Sequence, residues 1–192
     1  MMLRPAINQS TVDLVKRFEG RRLTAYRCPA GKWTIGYGLT TGALPGVVVQ
    51  EGMTISEREA EDYLRRTLSR FADEIWPGFR RQPNANQFGA MLSLAYNIGT
   101  GAFLRSTALT RFNAGDIDGA AEAMTWWNKA NGKVLRGLVR RREAEVDLFL
   151  EEVPGPESYR ATPDSEPTFN PLAILGAALR VAVLRLFHGK GG

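Results

Sequence analysis

The sequence predicts an α+β domain followed by a smaller appendage. A stretch rich in glycine and aromatic residues, 23–49, lies among segments with helical periodicity, and the composition changes abruptly after residue 153. With 192 residues, 44% of them hydrophobic, the chain can bury one sizeable core and still carry an extra segment. We therefore expect one folded domain over residues 1–153.

The first predicted element is an amphipathic helix. Ser10 or Thr11 can cap its N-terminus, and the apolar residues Val12 and Val15 recur on one face. Gly20 is expected to end it. From residue 23 to residue 49, aromatic and β-branched residues alternate with glycine and proline, which is typical of a small, twisted antiparallel sheet.

Helices are predicted for the rest of the domain. Ser56 and Glu59 have the spacing of a capping box, and the long helix they open should stop at Pro77. Another helix should start near Asn84 or Asn86. Further helical segments are predicted over 107–113, 116–127 and 136–150. Core candidates on the last of these are Leu138, Val146, Phe149 and Leu150.

The chain beyond residue 153 has two parts. Residues 154–171 hold five of the ten prolines and should form an extended linker, because such a composition cannot bury a core. Residues 172–192 form the second part and are predicted to be an amphipathic helical tail. Their apolar residues fall in one sector of a helix, with Arg180 and Arg185 nearby. This segment is too short and too charged to predict a membrane-spanning helix.

The charge balance favours polyanionic partners. Lys and Arg number 25 against 20 Asp and Glu, a net charge of +5. Such a surface suits nucleic acid, an anionic membrane or a bacterial wall, and solvated helix faces are the plainer interpretation. No nucleic-acid-binding motif accompanies the charge, so we expect no nucleic-acid partner.

Cysteine and histidine usage excludes other classes of site. Cys28 has no second cysteine with which to form an intramolecular disulfide, and Cys28 with the lone His188 makes a zinc site improbable. We expect no metal and no cofactor. Residues 1–8 contain no apolar run of signal-peptide length, so we expect no Sec-type export.

One constellation of side chains can carry chemistry. Glu19 ends the first helix where it meets the predicted sheet, and partial desolvation there would keep its carboxyl protonated, as a general acid for glycosidic cleavage requires. Thr34 can present a hydroxyl to the same cleft, with Cys28 in the turn between. The alternatives are an ordinary helix-end glutamate, a small buried cysteine and a β-forming threonine.

A family resemblance favours the catalytic interpretation. Glu19, Cys28 and Thr34, followed by the Ile-Gly-x-Gly segment 35–38, have the spacing of the signature of phage-type (T-even-like) lysozymes, glycoside hydrolase family 24. Collinear motifs extend the resemblance over about residues 7–151. They lie at 87–90, 94–99, 101–103, 112–116, 126–127 and 137–143.

The resemblance implies a lysozyme-like fold, with a small sheet lobe, a mostly helical lobe and a cleft between them. It implies that Glu19 donates the proton and that Thr34 helps to hold the attacking water, with inversion at the bond between N-acetylmuramic acid and N-acetylglucosamine of peptidoglycan. Cys28 takes the position usually held by Asp. The residues implied to line the glycan groove are Tyr96, Asn97 and Ser106; core packing is the alternative for Tyr96.

The sequence departs from the family pattern at two positions. A neutral Cys28 thiol cannot stabilise an oxocarbenium-like transition state as a carboxylate does, although a thiolate could; the family's phage branch includes cysteine variants. Leu39 stands where the family usually has His, which puts local rigidity in doubt but leaves Glu19 and Thr34 in place.

Two other functions stay open at this point. A lytic transglycosylase uses one acid/base Glu and no positioned water, and a wall-binding, membrane-disrupting protein would have a hydrolase site decayed through Cys28. The leading expectation is a monomeric endolysin that stays in the host cytoplasm until it is released to the wall. Its tail, 172–190, is expected to bind anionic membrane or lipopolysaccharide; docking on the domain or on a partner is the alternative.

Overall fold

The computed structural model describes residues 2–152. The predicted linker, 154–171, and the predicted tail, 172–192, lie outside the described residues. Within residues 2–152, no helix is both long enough and apolar enough to cross a membrane.

The described chain is an α+β fold, as predicted. Its helices are α1 Gln9–Glu19, α2 Glu57–Ile75, α3 Ala85–Ile98, α4 Thr100–Leu104, α5 Thr107–Asn113, α6 Ile117–Thr125 and α7 Arg136–Leu150. Its strands are β1 Arg22–Arg27, β2 Trp33–Gly36, β3 Leu39–Thr40, β4 Lys129–Ala130 and β5 Lys133–Val134.

Helix α1 begins earlier than the sequence predicted. The N-cap is Asn8, whose side-chain oxygen accepts hydrogen bonds from the backbone N–H of Thr11 at 3.0 Å and from its hydroxyl at 2.7 Å. The prediction of Ser10 or Thr11 as the cap is therefore wrong. Asn8 also donates to the side chain of Asn86 at 2.7 Å, which ties the start of α1 to α3.

The sheet is antiparallel with the order β1–β2–β3, and it is smaller than predicted. Tyr26 faces Thr34 in the register, and Thr34 faces Thr40. The segment 47–49 is not a strand. The hydroxyl of Thr41 instead accepts from Val49 N at 2.9 Å and donates to Val49 O at 3.0 Å, so it occupies backbone groups that a strand ladder would use.

The predicted starts of α2 and α3 are confirmed. Ser56 and Glu59 form a capping box at the start of α2, with Ser56 N donating to the Glu59 carboxylate at 2.7 Å. Asn84 caps α3 in the same way with Gln87. Helix α2 ends at Ile75 and passes into a short 3-10 turn over Trp76–Gly78.

A hairpin that the sequence analysis missed precedes α7. Strands β4 and β5 pair through a two-residue turn, Asn131–Gly132, in which φ is +50° and +75°. Asn-Gly is the preferred pair for a turn that needs positive φ at both positions, so the signal was present in the sequence.

Helix α3 is the centre of the core, because it packs against α1, α2 and α7. Aromatic rings fill the space beside it, at Phe79, Phe88, Phe103, Phe112 and Phe149. Of the predicted core residues on α7, Val146 and Phe149 are buried and Leu150 packs against the core. Leu138 is a correction: it is only half-buried, because it lies in the first turn of α7 and lines a groove that is open to solvent.

Close contact between α1 and α3 predicts a specific sensitivity at Gly89. A Cβ at this position would collide with Thr11 Oγ1, whose position the hydrogen bond to Asn8 holds. Gly89→Ala should lower the free energy of unfolding by about 1–3 kcal/mol. Urea denaturation measures the change. Gly137→Ala is the matched control, since a Cβ on this α7 glycine meets nothing within 4 Å; a loss of equal size there would contradict the packing argument.

Candidate active site

Glu19 is the last residue of α1, and its surroundings come from three parts of the fold. Gly20, with φ +70°, turns the chain directly into β1. Arg141 of α7 donates from Nη1 to Glu19 Oε1 at 2.6 Å. A Cβ on Gly38, in the β2–β3 turn, would lie 4.0 Å from Glu19 Oε2, so this turn passes close to the other carboxylate oxygen. The Glu19 side chain remains 22% exposed.

Behind Glu19 lies a buried cluster of charged and polar side chains. Arg141 Nε donates to Glu145 Oε1 at 3.1 Å, and Arg142 Nη2 donates to the same oxygen at 2.9 Å. Ser93 of α3 donates its hydroxyl to that oxygen at 2.7 Å. Arg141, Arg142 and Glu145 are 4%, 1% and 0% exposed, so Glu19 is the end of the cluster that reaches solvent.

Burial and charge act in opposite directions within this cluster. Burial raises the pKa of the Glu145 carboxyl, and the guanidiniums of Arg142 and Arg141 oppose it. Burial lowers the pKa of Arg142, against the charge of Glu145. Because arginine does not give up its proton in proteins, we take both guanidiniums as charged and Glu145 as their ionised counter-charge.

Glu19 opens onto a groove of about 680 Å³. The lining is partly basic and partly apolar, and it consists of Arg17, Phe18, Glu19, Asn97, Leu135, Gly137, Leu138, Arg140 and Arg141. A carboxylate at the edge of a basic groove is placed to act on an anionic polymer lying along it.

This arrangement corrects the physical argument made for Glu19. The sequence analysis relied on desolvation of a carboxyl between a helix and a sheet. The structure adds the buried guanidinium of Arg141, 2.6 Å from Glu19, which could not be expected while solvated helix faces were the plain interpretation of the basic charge. A signal was available: Arg141, Glu145 and Leu148 share the i, i+4, i+7 spacing of one face of α7, and all three are buried.

Cys28 and Thr34 lie together in the β1–β2 hairpin, and neither is among the residues that line the groove at Glu19. Cys28 N donates to Lys32 O at 3.0 Å, which closes the turn. Thr34 is buried, and its hydroxyl donates to Lys32 O at 3.1 Å. The backbone N–H of Lys32, and then the Thr34 hydroxyl, lower the pKa of the half-buried Cys28 thiol. The hairpin therefore stabilises the charged form of the Cys28 thiol relative to an ordinary cysteine.

The predicted groove residues Tyr96 and Asn97 lie at the end of α3 near Glu19. Asn97 is exposed, lines the groove and accepts from Arg142 at 3.0 Å. Tyr96 is half-buried against Phe71, and its hydroxyl donates to Tyr37 O at 2.9 Å, joining α3 to the sheet. Burial, and then the negative charge of Glu19, raise the pKa of Tyr96.

Ser106 occupies a different kind of position from the one predicted. It is 3% exposed and caps α5, where its hydroxyl accepts from Leu109 N at 3.2 Å. It is not among the residues that line the groove. The structure therefore gives Ser106 a helix-capping role, and its predicted contact with the glycan has no support in this geometry.

Comparison with known proteins decides the family. The family model described as phage lysozyme matches residues 16–145, which include Glu19, Cys28, Thr34 and the buried cluster. The chain belongs to the phage lysozyme family. The resemblance to phage-type lysozymes is thereby confirmed, and this lysozyme is a glycoside hydrolase that acts on peptidoglycan.

Relatives and solved structures agree with this assignment. The lysozyme is 40% identical over 147 residues to the endolysin of Acyrthosiphon pisum secondary endosymbiont phage 1, a match that covers 74% of this chain and 97% of the relative. The endolysin from Escherichia coli O157:H7 phage FAHEc1 superposes with a TM-score of 0.72 at 37% identity, covering 80% of this chain and 98% of that one.

A second similar solved structure is a muramidase domain. That domain, from SpmX of Asticaccaulis excentricus, superposes with a TM-score of 0.70 at 37% identity. The match covers 78% of this chain and 100% of the domain. The predicted lysozyme-like architecture of the described residues is therefore confirmed.

The hairpin geometry predicts how the Cys28 thiol responds to substitution in this lysozyme. Thr34→Val removes a hydroxyl that can turn from Lys32 O toward the sulfur when the thiolate forms. The pKa of Cys28 should then rise, so the thiol should need a higher pH to react with iodoacetamide. The pH dependence of the alkylation rate measures this. Thr34→Ser keeps the hydroxyl and should match the parent protein; equal upward shifts in both variants would contradict the assignment.

Proposed function

We propose that this lysozyme is an N-acetylmuramidase that cleaves the β-1,4 bond between N-acetylmuramic acid and N-acetylglucosamine by single displacement with inversion. Glu19 gives its proton to the bridging oxygen as the bond from that oxygen to the muramic acid C1 breaks. Water attacks C1 from the opposite face, as an inverting glycosidase requires. The observation that supports this proposal is Glu19 itself, a partly exposed carboxylate between a groove and a buried guanidinium.

The Arg141 guanidinium has a clear part in this step. Once Glu19 has transferred its proton, the carboxylate left behind gains a charge-assisted hydrogen bond from Arg141, whose Nη1 lies 2.6 Å from Oε1. The interaction strengthens as negative charge develops on Glu19, so it favours the transition state over the protonated ground state.

Cys28 and Thr34 supply the other half of the proposed mechanism. The Thr34 hydroxyl helps to orient the attacking water, and the Cys28 thiolate accepts a proton from it and places negative charge beside the oxocarbenium-like transition state. The thiol's lowered pKa supports this role, because the charged form is the one that can do both.

The groove fits the chemistry of the proposed substrate. Arg17 and Arg140 carry positive charge along it, where the muramic acid carboxyl groups of a glycan strand would lie. Phe18 and Leu138 offer apolar surface for the flat faces of sugar rings. We propose that Asn97 contacts the glycan from α3; Tyr96 supports the groove wall from behind through its bond to Tyr37 O.

Glu19→Gln tests the assignment of the proton donor. The amide keeps the size of the side chain but has no acidic proton to donate, so hydrolysis of purified peptidoglycan should fall by about 10²–10⁴-fold. Glu74→Gln is the matched control, since Glu74 is an exposed α2 residue that lies 3.6 Å from Arg70 and away from the groove; its rate should stay near that of the parent protein.

Mass spectrometry of the released muropeptides decides the reaction type in the same experiment. Products that end in a reducing muramic acid support hydrolysis, and 1,6-anhydromuramic ends would overturn it in favour of a lytic transglycosylase. If Glu19→Gln clears cells as fast as the parent protein, the glycan chemistry is not what lyses them, and a wall-binding, membrane-disrupting function would replace the proposal.

We also propose that the lysozyme acts as a monomeric endolysin, held in the host cytoplasm until release to the wall, and that residues 172–190 bind anionic lipid. The support is the sequence pattern of an apolar helical sector beside Arg180 and Arg185. The full chain should therefore pellet with phosphatidylglycerol vesicles but not with neutral phosphatidylcholine vesicles. A chain ending at Val153 should stay in the supernatant with both; equal pelleting of the two chains would contradict the proposal.

A further inference from the structure

Arg141 is shared between two carboxylates. Its Nη1 donates to Glu19 at 2.6 Å, and its Nε donates to Glu145 at 3.1 Å. Glu145 is in turn shared between two guanidiniums, since Arg142 Nη2 donates to it at 2.9 Å. The side chains thus form an alternating series of charges, Glu19, Arg141, Glu145 and Arg142. Glu19 and Arg141 line the groove, and Glu19 is the more exposed of the two, at 22% against 4%.

The shared guanidinium creates a conflict for a proton donor. An opposite charge beside a carboxyl group favours its ionised form, and a general acid must enter the reaction protonated. If Glu19 were the only counter-charge of Arg141 and Arg142, two buried positive charges would both hold it ionised. Glu145 supplies the second counter-charge, and its burial makes the interaction strong because little water screens it.

We propose that Glu145 is a positioning residue for the reaction: it divides the charge of Arg141 between itself and Glu19, so that Arg141 and Arg142 do not both act uncompensated on the Glu19 carboxyl group. Ser93 holds the Glu145 oxygen in place with a 2.7 Å hydrogen bond. This inference rests on the proposed role of Glu19 as proton donor.

Other charged and titratable groups near Glu19 come from each neighbouring element. Arg17 of α1 and Arg140 of α7 line the same groove. The negative charge of Glu19 raises the pKa of Tyr96 of α3. The β2–β3 turn contributes Gly38, which carries no charge. Glu145 faces Arg141 and Arg142 on its own helix and Ser93 on α3. Within the described part of the chain, Glu145 is thus the carboxylate that shares Arg141 with Glu19.

Two charge-removing variants should move the activity profile in opposite directions. Glu145→Gln leaves Glu19 as the counter-charge of both arginines, so the alkaline limb of kcat/KM, where the acid loses its proton, should move to lower pH by about 1 pH unit. Arg142→Gln lets Glu145 pair with Arg141 alone, so the alkaline limb should move to higher pH. Glu145→Asp keeps the charge and should restore the limb to near its original position.

A titration that does not depend on activity separates this inference from the proposed function. In protein labelled with ¹³C at glutamate carboxyl groups, the signal lost in Glu19→Gln identifies Glu19, and its NMR titration midpoint should follow the same two shifts. If Glu19→Gln is fully active, the proposed function fails, and the NMR midpoints still decide whether Glu145 controls the protonation of Glu19.

A purely structural role for Glu145 predicts a different result. It would lower stability and the fraction of active protein, while the pH limb and the Glu19 midpoint stayed unchanged in both variants. That outcome would overturn the inference. If Glu145→Gln does not fold, Arg142→Gln decides alone, because it leaves the Arg141–Glu145 pair intact: an upward shift supports the inference, and no shift or a downward shift overturns it.

Discussion

The structure depends on one buried ionic contact, in which Glu145 accepts hydrogen bonds from Arg141, Arg142 and Ser93 on a single carboxylate oxygen. Removing charges from water costs free energy that a buried pair recovers only with good geometry and further hydrogen bonds. Here the contact also joins α7 to α3, the helix at the centre of the core. The same guanidinium that stabilises the core therefore reaches Glu19.

Packing around this contact explains why the site is well defined. Glu19 ends a helix that is held at its start by the Asn8–Asn86 bond and beside α3 by the close approach of Gly89 to Thr11. The sheet is tied to α3 on the other side through Tyr96 and Tyr37. The carboxylate thus meets Arg141 and the β2–β3 turn from elements that cannot shift independently, which is the preorganisation that electrostatic catalysis needs.

In the proposed mechanism, the Cys28 hairpin has to stabilise a negative charge that an aspartate would carry without help. A cysteine is a weaker source of negative charge than an aspartate at neutral pH, since an ordinary thiol is mostly protonated there. The turn at Lys32 and the Thr34 hydroxyl both stabilise the thiolate. These donors come from the hairpin itself, so the substitution does not require a change elsewhere in the fold.

Local patterns determined much of this protein. The capping boxes at Ser56 and Asn84, the glycine-rich sheet and the spacing of Glu19, Cys28 and Thr34 could be predicted because each depends on residues close in sequence. Only the tertiary structure brought Arg141 to Glu19, 122 residues away, and buried Arg141 and Arg142 while leaving Arg140 exposed. Burial strengthens the interaction between charged side chains because less water screens it, and the packing of the helices decides which charges are buried.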